Sequence, residues 1–404
     1  MALDICIPTR NRQYECMATL KAFEALMVPH VTVYVVDNSD DPSIFLDFLK
    51  KTFPFGFPSW LRFEVKPHQE PVRSMRENWE RALDLTTADW VCFIGDDDFV
   101  DPKVEGLLSR LRNHDSSFDY LSWSHMRYQW PGWSDQNVTV EVKMSRLLKP
   151  YPIDKGYETI TGCVGKRPLS LASVYHGALH RSVINKVRTA FTDDNNFFKH
   201  SNVDYFSGWL SGLYVNKAAY SNRPLSVAGA SAKSNSATVR KKGAISKAVD
   251  IFLSEAANET ASKIPDRLYT AKSNSMTQYF YLITQDFFDL TDGKFEFKDG
   301  WKDQIVVRAQ LEVEERTDYG AFEELREDLQ VFLDSIGATA EFAPKYQEQP
   351  KSSILAKGLH DDRLLIHNNA FSTESAGEFY QMVDNLLTRV EHIGNEIQYV
   401  QRGK

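Results

Sequence analysis

The 404-residue chain lacks the features that mark several protein classes. No apolar run approaches the roughly 20 residues that span a bilayer, so no membrane-embedded segment is expected. The opening "MALDICIPTRNR" runs straight into a strand-like pattern, and no signal peptide is expected. Cysteine is scarce. Cys6 and Cys92 sit in apolar runs, Cys16 falls on a helical apolar stripe, and neither they nor Cys163 are closely paired. Buried free thiols in a reducing cytoplasm fit better than a disulfide framework. Positive charge is not in excess: 47 Lys and Arg against 55 Asp and Glu leave a net −8. That balance argues against a nucleic-acid partner. The phosphate-cradling motifs G-x-G-x-x-G and G-x-x-x-x-G-K-[ST] are missing; "GCVGKR" has the wrong spacing and no hydroxyl. There is no G-x-S-x-G and no internal repeat.

What remains is an ordinary globular composition, 42% hydrophobic and 25% charged, in a chain long enough for two domains. "LDICIP" and "VTVYVVD" read as two buried strands, with Cys16, Leu20, Phe23 and Met27 at helical spacing between them. Such a unit implies parallel strands and a right-handed crossover. A helix over about Ser74 to Leu85 and the strand "WVCFI" continue the alternation. An open, Rossmann-like, mostly parallel α/β sheet is the expectation, with ligands outside the carboxyl ends of its strands. Three polar clusters fall at those ends: Thr9 to Arg12, Asp37 to Asp41, and Asp96 to Asp98.

The third cluster, in "WVCFIGDDDFVDP", is the most demanding. Crowded carboxylates raise one another's pKa, whereas a hard divalent cation makes the crowding favourable. A calcium EF-hand fails, because Phe99 and Val100 occupy positions that need oxygen ligands. A metal-diphosphate site remains. The bland alternative is a solvated turn with Asp101-Pro102 capping the next helix.

Four segments in this setting resemble the family-2 glycosyltransferases of GT-A type, which are inverting nucleotide-sugar transferases. "ICIPTRNR" is similar to the family's opening strand and P-T-x-N-R turn, and "VVDNSDD" to its V-V-D-N/D-x-S segment. "MRENWERALDLTTADWVCFIGDDD" resembles the N-W-x-x-A-L helix followed by the D-x-D strand end, and "FFKHSNVDYFSGWL" the segment carrying the acceptor-activating carboxylate. The resemblance covers about residues 1–240 and implies a GT-A catalytic domain there, leaving 241–404 as a mainly α-helical C-terminal domain for acceptor-site shaping or oligomerisation.

The resemblance implies a nucleoside-diphosphate sugar (UDP-, GDP- or dTDP-linked) contacted by Pro8, Thr9, Arg10, Arg12, Asp37, Asn38, Arg73, Asn78, Asp96 and Asp97. It implies Mn²⁺ or Mg²⁺ on Asp98 first, Asp97 next and Asp96 through water, with Asp204 as the catalytic base. The plainer role for one of Arg10 and Arg12 is a surface salt bridge, and for Asp204 an N-cap of a helix starting at Tyr205. Two departures stand out: Gly95 occupies the family's usual first aspartate, and Val203 replaces a frequent acid. The Q-x-x-R-W motif of processive synthases is missing, which implies single-sugar transfer to a glycan or glycolipid hydroxyl in polysaccharide or glycoconjugate synthesis. A cytoplasmic site is implied, with room for a peripheral position at the inner face of a membrane.

Elsewhere, Trp123, Tyr128, Trp130 and Trp133 are candidates to stack on a sugar, with core packing the default for each. His125, His176, His180 and His200 are candidate metal or phosphate contacts, with structural hydrogen bonding the default. Lys233 in "SAKSNS" lies in a segment read as a mobile loop or boundary. Further on, Ile245, Val249, Phe252 and Ala256 form one helical stripe, and Phe322, Leu325, Leu329, Phe332 and Ile336 another, closed by Gly337. "SAGE" reads as a capping box before a long helix with Phe379, Met382, Leu386, Val390, Ile393 and Ile397 at heptad-like spacing, a candidate for helix pairing between subunits. The competing readings are a metal-dependent nucleotidyltransferase, disfavoured because "PTRNRQYE" has no glycine, and a non-catalytic scaffold driven by the C-terminal half.

Overall fold

The computed structural model describes residues 1–66, 73–132, 139–145, 147–191, 194–231, 267–270, 275–348, 358–360, 363–367 and 370–393. The chain opens with β1 (Leu3–Thr9), α1 (Gln13–Leu26), β2 (Val31–Asp37), α2 (Ser43–Thr52), β3 (Leu61–Val65), α3 (Met75–Asp84) and β4 (Trp90–Phe93). It continues with β5 (Phe99–Val100), α4 (Val104–His114), β6 (Phe118–Gln129), β7 (Thr139–Lys143), β8 (Leu148–Pro150) and α5 (Ile153–Thr161). Then come β9 (Gly177–His180), α6 (Arg181–Ala190), α7 (Val203–Gly212) and β10 (Lys217–Ala230). The C-terminal part holds α8 (Met276–Leu290), α9 (Trp301–Glu314), α10 (Tyr319–Ser335), β11 (Gly358–His360), β12 (Arg363–His367) and α11 (Ala376–Asp384).

The main sheet has the order β3-β2-β1-β4-β9-β6-β10-β5, with β8 also on β10. β3, β2, β1 and β4 are parallel, as the βαβ reading requires, and β10 runs parallel to β6. β9 is antiparallel to both β4 and β6 and joins the two halves. Side chains alternate between the faces. Leu3, Ile5, Ile7, Val33, Val35 and Cys92 pack with Cys16, Leu20 and Phe23 of α1. Cys6, Tyr34, Val36, Val91 and Phe93 pack on the other face with Trp79, Ala82 and Leu83 of α3. A sheet buried on both sides explains why its strands read as continuous apolar runs. Helix α3 begins where the sequence predicts: Glu77 N donates to Ser74 Oγ at 3.1 Å, and Ser74 N donates to Glu77 Oε2 at 3.0 Å, a full capping box.

The C-terminal part is mainly helical, but it does not stay apart from the catalytic sheet. The α10 stripe buries Phe322, Leu325, Leu329 and Phe332 against Ile305, Ala309 and Val313 of α9, and Gly337 follows with a φ of 64°. The chain then returns. β12 pairs antiparallel with β7, and Ala376, Phe379, Tyr380 and Val383 of α11 enter the same core as β1 and α1. Residue 240 therefore divides in sequence what packing joins. The long heptad helix is corrected as well: α11 stops at Asp384, leaving Met382 and Leu386 half exposed, while Val390 and Ile393 are buried in this core. Its capping box is half formed. Ser375 Oγ accepts from Glu378 N at 3.2 Å, but the Glu378 carboxylate accepts from Glu374 N instead. The stripe from Ile245 to Ala256, Lys233, Trp133 and Ile397 lie outside the described residues.

Because Phe379 is fully buried, with its ring 5.4 Å from that of Tyr128, Phe379→Ala is expected to destabilise the sheet domain by about 3–5 kcal/mol. Urea unfolding followed by tryptophan fluorescence checks this; an unchanged midpoint would show that the C-terminal return adds nothing to the core.

Candidate active site

The carboxyl ends of β1, β2 and β4 bring the three polar clusters together. At the turn after β1, Asn11 takes a φ of 57°, a left-handed conformation that asparagine tolerates. Its side chain ties this turn to the one after β2: Asn11 Nδ2 donates to Asp40 Oδ2 at 2.9 Å, and Asp40 N donates to Asn11 Oδ1 at 3.1 Å. Arg10 pairs with Asp40 at 3.8 Å, a salt bridge of the kind foreseen for one of the two arginines. Arg12 is the inner one. Its guanidinium lies 2.9 Å from Asp96 and 3.4 Å from Asp97, and the two carboxylates keep it charged against its burial.

The three aspartates share one turn but have different surroundings. Asp96 Oδ2 accepts from Thr9 Oγ1 at 2.7 Å, and burial pushes its carboxyl up to about 7 against the pull of Arg12. Asp98 is saturated. Its Oδ2 accepts from Gly95 N (2.7 Å), Tyr175 Oη (2.7 Å) and His176 Nε2 (3.1 Å), and its Oδ1 accepts from Gly229 N (2.7 Å). Burial alone would raise its pKa, but the hydrogen bonds and His176 outweigh that and hold it at about 2. An ionised carboxylate only accepts, so His176 Nε2 carries the proton; in the neutral ring, Nδ1 then accepts from Ser226 Oγ at 2.9 Å.

The backbone of the triplet is held as firmly. Thr19 Oγ1 lies 3.2 Å from Asp96 O and 3.1 Å from Asp98 O, and Trp130 Nε1 donates to Asp97 O at 2.8 Å. A Cβ on Gly229 would fall 1.8 Å from Asp97 O, so only glycine lets β10 approach this turn.

The expected leading metal ligand, Asp98, thus already takes four hydrogen bonds. A Cβ on Gly95 would come within 2.9 Å of Asp98 Oδ2, so the missing side chain leaves room for Asp98 to fold back onto the turn. Asn38 and Asn78, expected at the donor, hold backbone groups. Asn38 clamps the backbone of Arg73 (Nδ2 to O at 2.8 Å, N to Oδ1 at 3.1 Å), and Asn78 Nδ2 donates to Val36 O at 3.3 Å. Both amides brace backbone. Pro8 lies within β1, opposite Val36. Asp37 differs from them all: Oδ1 accepts from Ser39 N at 2.9 Å, while buried Oδ2 has no partner among the described residues. Burial pushes this carboxyl up.

Asp204 does not cap its helix. Asn202 does, its Oδ1 accepting from Tyr205 N and Phe206 N at 3.1 Å each, because the helix starts at Val203. Asp204 sits in the first turn, half-buried, its pKa raised by burial against nearby hydrogen bonds. The segment leading to it is fixed from two sides: Glu80 Oε2 accepts from Phe197 N and Phe198 N at 2.8 and 2.9 Å, and His200 Nε2 lies 3.1 Å from Asp286 of α8. Tyr175, which donates to Asp98, also feels the charge of Asp204.

Residues 4–177 match the family model described as glycosyl transferase family 2. The N-terminal part of the chain belongs to that family. That segment has the expected mixed, mostly parallel sheet, and the model it matches is that of a glycosyltransferase family. Among solved structures, S. aureus TarS 1-349 in complex with UDP-GlcNAc is similar at 12% identity and a TM-score of 0.41, over 83% of this chain and 88% of that one. The mannosyltransferase PcManGT from Pyrobaculum calidifontis, in complex with GDP-Man and Mn²⁺, is similar at 11% identity and a TM-score of 0.40, over 83% and 86%. No curated protein matches.

The glycosyltransferase site thus contains residues that no spacing rule marks. Thr19, Tyr175 and Gly229 were missed, and Trp130 grips the turn instead of facing a sugar. Trp123 and Tyr128 are core, with polar atoms bonded to Ser226 Oγ and Thr373 O. His125, its pKa lowered to about 4 by burial and by His176, stacks on that ring, and His180 caps α6.

Asp98→Asn would set an amide N–H among donors and is expected to destabilise the glycosyltransferase by about 3 kcal/mol or more. Asp97→Asn is expected to leave the melting temperature nearly unchanged. Differential scanning calorimetry on the two variants separates the brace from its neighbour.

Proposed function

We propose that this glycosyltransferase moves one sugar from a nucleoside-diphosphate sugar to an acceptor hydroxyl with inversion. The observation that carries the donor side is Asp37. A buried carboxylate oxygen without a partner costs on the order of 1–3 kcal/mol, and a ring N–H of a nucleobase would supply the missing donor. Its place at the end of β2, beside the aspartate turn, is where α/β sheets bind ligands.

Among the described residues, no three His, Cys, Asp or Glu side chains form a ready-made metal cage. Mg²⁺ and Mn²⁺ sites need none, since one or two carboxylates with substrate phosphates and water suffice. Asp97 is assigned as the triplet's ligand: it pairs with Arg12 at the longer distance of 3.4 Å, whereas Asp98 takes four donors and Asp96 lies 2.9 Å from Arg12 and accepts from Thr9. Bound there, the ion would neutralise charge on the departing diphosphate. Arg12, beside Asp97, is placed to share that role.

Inversion requires one in-line attack. The Asp204 carboxylate takes the acceptor's hydroxyl proton, the acceptor oxygen bonds to the anomeric carbon, and the carbon–oxygen bond to phosphate breaks, its electron pair leaving with the nucleoside diphosphate. Burial raises the pKa of Asp204, which makes it a stronger base than an ordinary aspartate.

Three outcomes are expected. In a thermal-shift panel of UDP, GDP and dTDP with Mn²⁺, one nucleotide stabilises the chain, and Asp37→Ala weakens that binding at least ~10-fold. Asp97→Asn lowers kcat/KM about 100-fold, roughly 2.7 kcal/mol, without loss of fold. Because the base must be ionised, activity falls as pH falls. The raised pKa puts the acid limb of kcat/KM above the ~3.9 of ordinary aspartate, and Asp204→Asn removes that limb along with about 10²–10⁴ in rate. Wild-type transfer in Asp204→Asn would end the base assignment.

A further inference from the structure

The edge of the sheet opposite the site carries a feature that glycosyl transfer does not use. Between α2 and β3 the chain reads "FPFGFPSW", Phe53 to Trp60. Phe55 stands at the tip with 103% relative exposure, and Phe57 beside it is 47% exposed. A fully hydrated phenylalanine forgoes the free energy of burial, yet this loop is built to hold it out. Gly56 turns the tip at a φ of 107°, Gly56 N donates to Phe53 O at 3.1 Å, and Pro54 and Pro58 restrict the backbone on each side. Edge-to-face contacts brace the base of the loop: Phe53 with Phe57 and Trp60, and Phe57 with Phe63, at 6.3–6.4 Å between ring centres.

The charge of this segment runs against that of the whole chain. From Phe48 to Phe63 there is no acid, while Lys50, Lys51 and Arg62 are all exposed, in a protein with net charge −8. Of the flanking acids, Glu64 is paired with Arg81 at 2.6 Å, and exposed Asp47 lies one turn before Lys50 and Lys51 on α2.

We infer that this loop docks the protein on an anionic lipid bilayer, the Phe55 and Phe57 rings entering the interface and Lys50, Lys51 and Arg62 meeting lipid phosphates. Aromatic rings flanked by cations suit the headgroup boundary. A convex tip fits a soft, deformable phase, whereas a protein partner would have to offer a pocket of matching shape. A second copy is disfavoured twice: two such faces repel, and two phenylalanines fall short of the ~1,000 Å² that a stable interface buries. Among the described residues no helix is long and apolar enough to cross a membrane, so this would be surface attachment. The seven residues of β1, at ~3.3 Å each, would hold the catalytic rim about 23 Å or more from the lipid, facing acceptors that reach away from it.

The test is co-sedimentation of the full chain with vesicles of phosphatidylcholine mixed with phosphatidylglycerol, compared with phosphatidylcholine alone. Binding is expected to the mixed vesicles only and to weaken with salt. Phe55→Ser, at an exposed position, and the double change Lys50→Glu, Lys51→Glu should each lower the partition coefficient at least ~10-fold, with melting temperatures unchanged. No binding by the wild type, or undiminished binding by both variants, overturns the inference. So does a wild-type dimer in sedimentation velocity that Phe55→Ser dissolves, which would assign the loop to self-association.

Discussion

A carboxylate sealed from water stays ionised only when donors surround it, and the site is organised around one that is. Asp98 gathers donors from its own turn (Gly95), from the segment before β9 (Tyr175, His176) and from the end of β10 (Gly229). Each contact is charge-assisted and shortens an approach the backbone must then follow. His176 takes a φ of 51°, a left-handed conformation for a residue other than glycine, and its bonds to Asp98 and Ser226 hold it there. Without that anion the segments would be left to the backbone pairing that also joins them, Phe93 with Tyr175 and β5 with β10. Asp98 therefore helps set the geometry of the turn that carries Asp97.

The same turn is held from the C-terminal end of the chain. Asp101 Oδ2 accepts from Tyr380 Oη at 2.8 Å, Tyr380 Oη accepts from Arg223, and Arg223 pairs with Asp384 and donates to Thr388 O. Arg223 is fully buried, so each of these partners offsets the cost of removing a guanidinium from water. Helix α11 thereby braces the stretch that leaves the aspartate turn, from beneath, while α8 braces the approach to Asp204 through Asp286. Both ends of the proposed chemistry depend on residues beyond the matched family segment, which ends at 177.

What the sequence disclosed and what it hid follow from the range of the forces involved. β1, β2 and β4 are legible because burial on both faces requires an unbroken apolar run, and α3 because Ser74 and Glu77 cap it locally. Their carboxyl ends follow from topology, so Asp37, Asp96 and Asp97 could be located without coordinates. The role of Asp98 could not: its donors lie at positions 175, 176 and 229, and nothing in the sequence around Asp98 points to them. Asn202 and Asp204 both have side chains that cap, so composition alone could not choose between them. The C-terminal stripe misled because α11 and the short turn at Val390 bury residues at spacings that an uninterrupted helix would share.

The two edges of the parallel half-sheet carry opposite chemistry, and the topology makes this hard to avoid. Parallel strands send every β-to-α turn to one edge and every α-to-β turn to the other. The first carries Asp37 and the aspartate turn. The second is free of catalytic demand, and there the α2–β3 connection combines cations with rings held in water. A chain whose acids outnumber its bases is repelled overall by an anionic surface, so only a face with locally reversed sign can approach one. The same repulsion, acting on the acidic catalytic edge, would turn that edge outward. Charge alone would then set the orientation, with the aromatic tip supplying the depth.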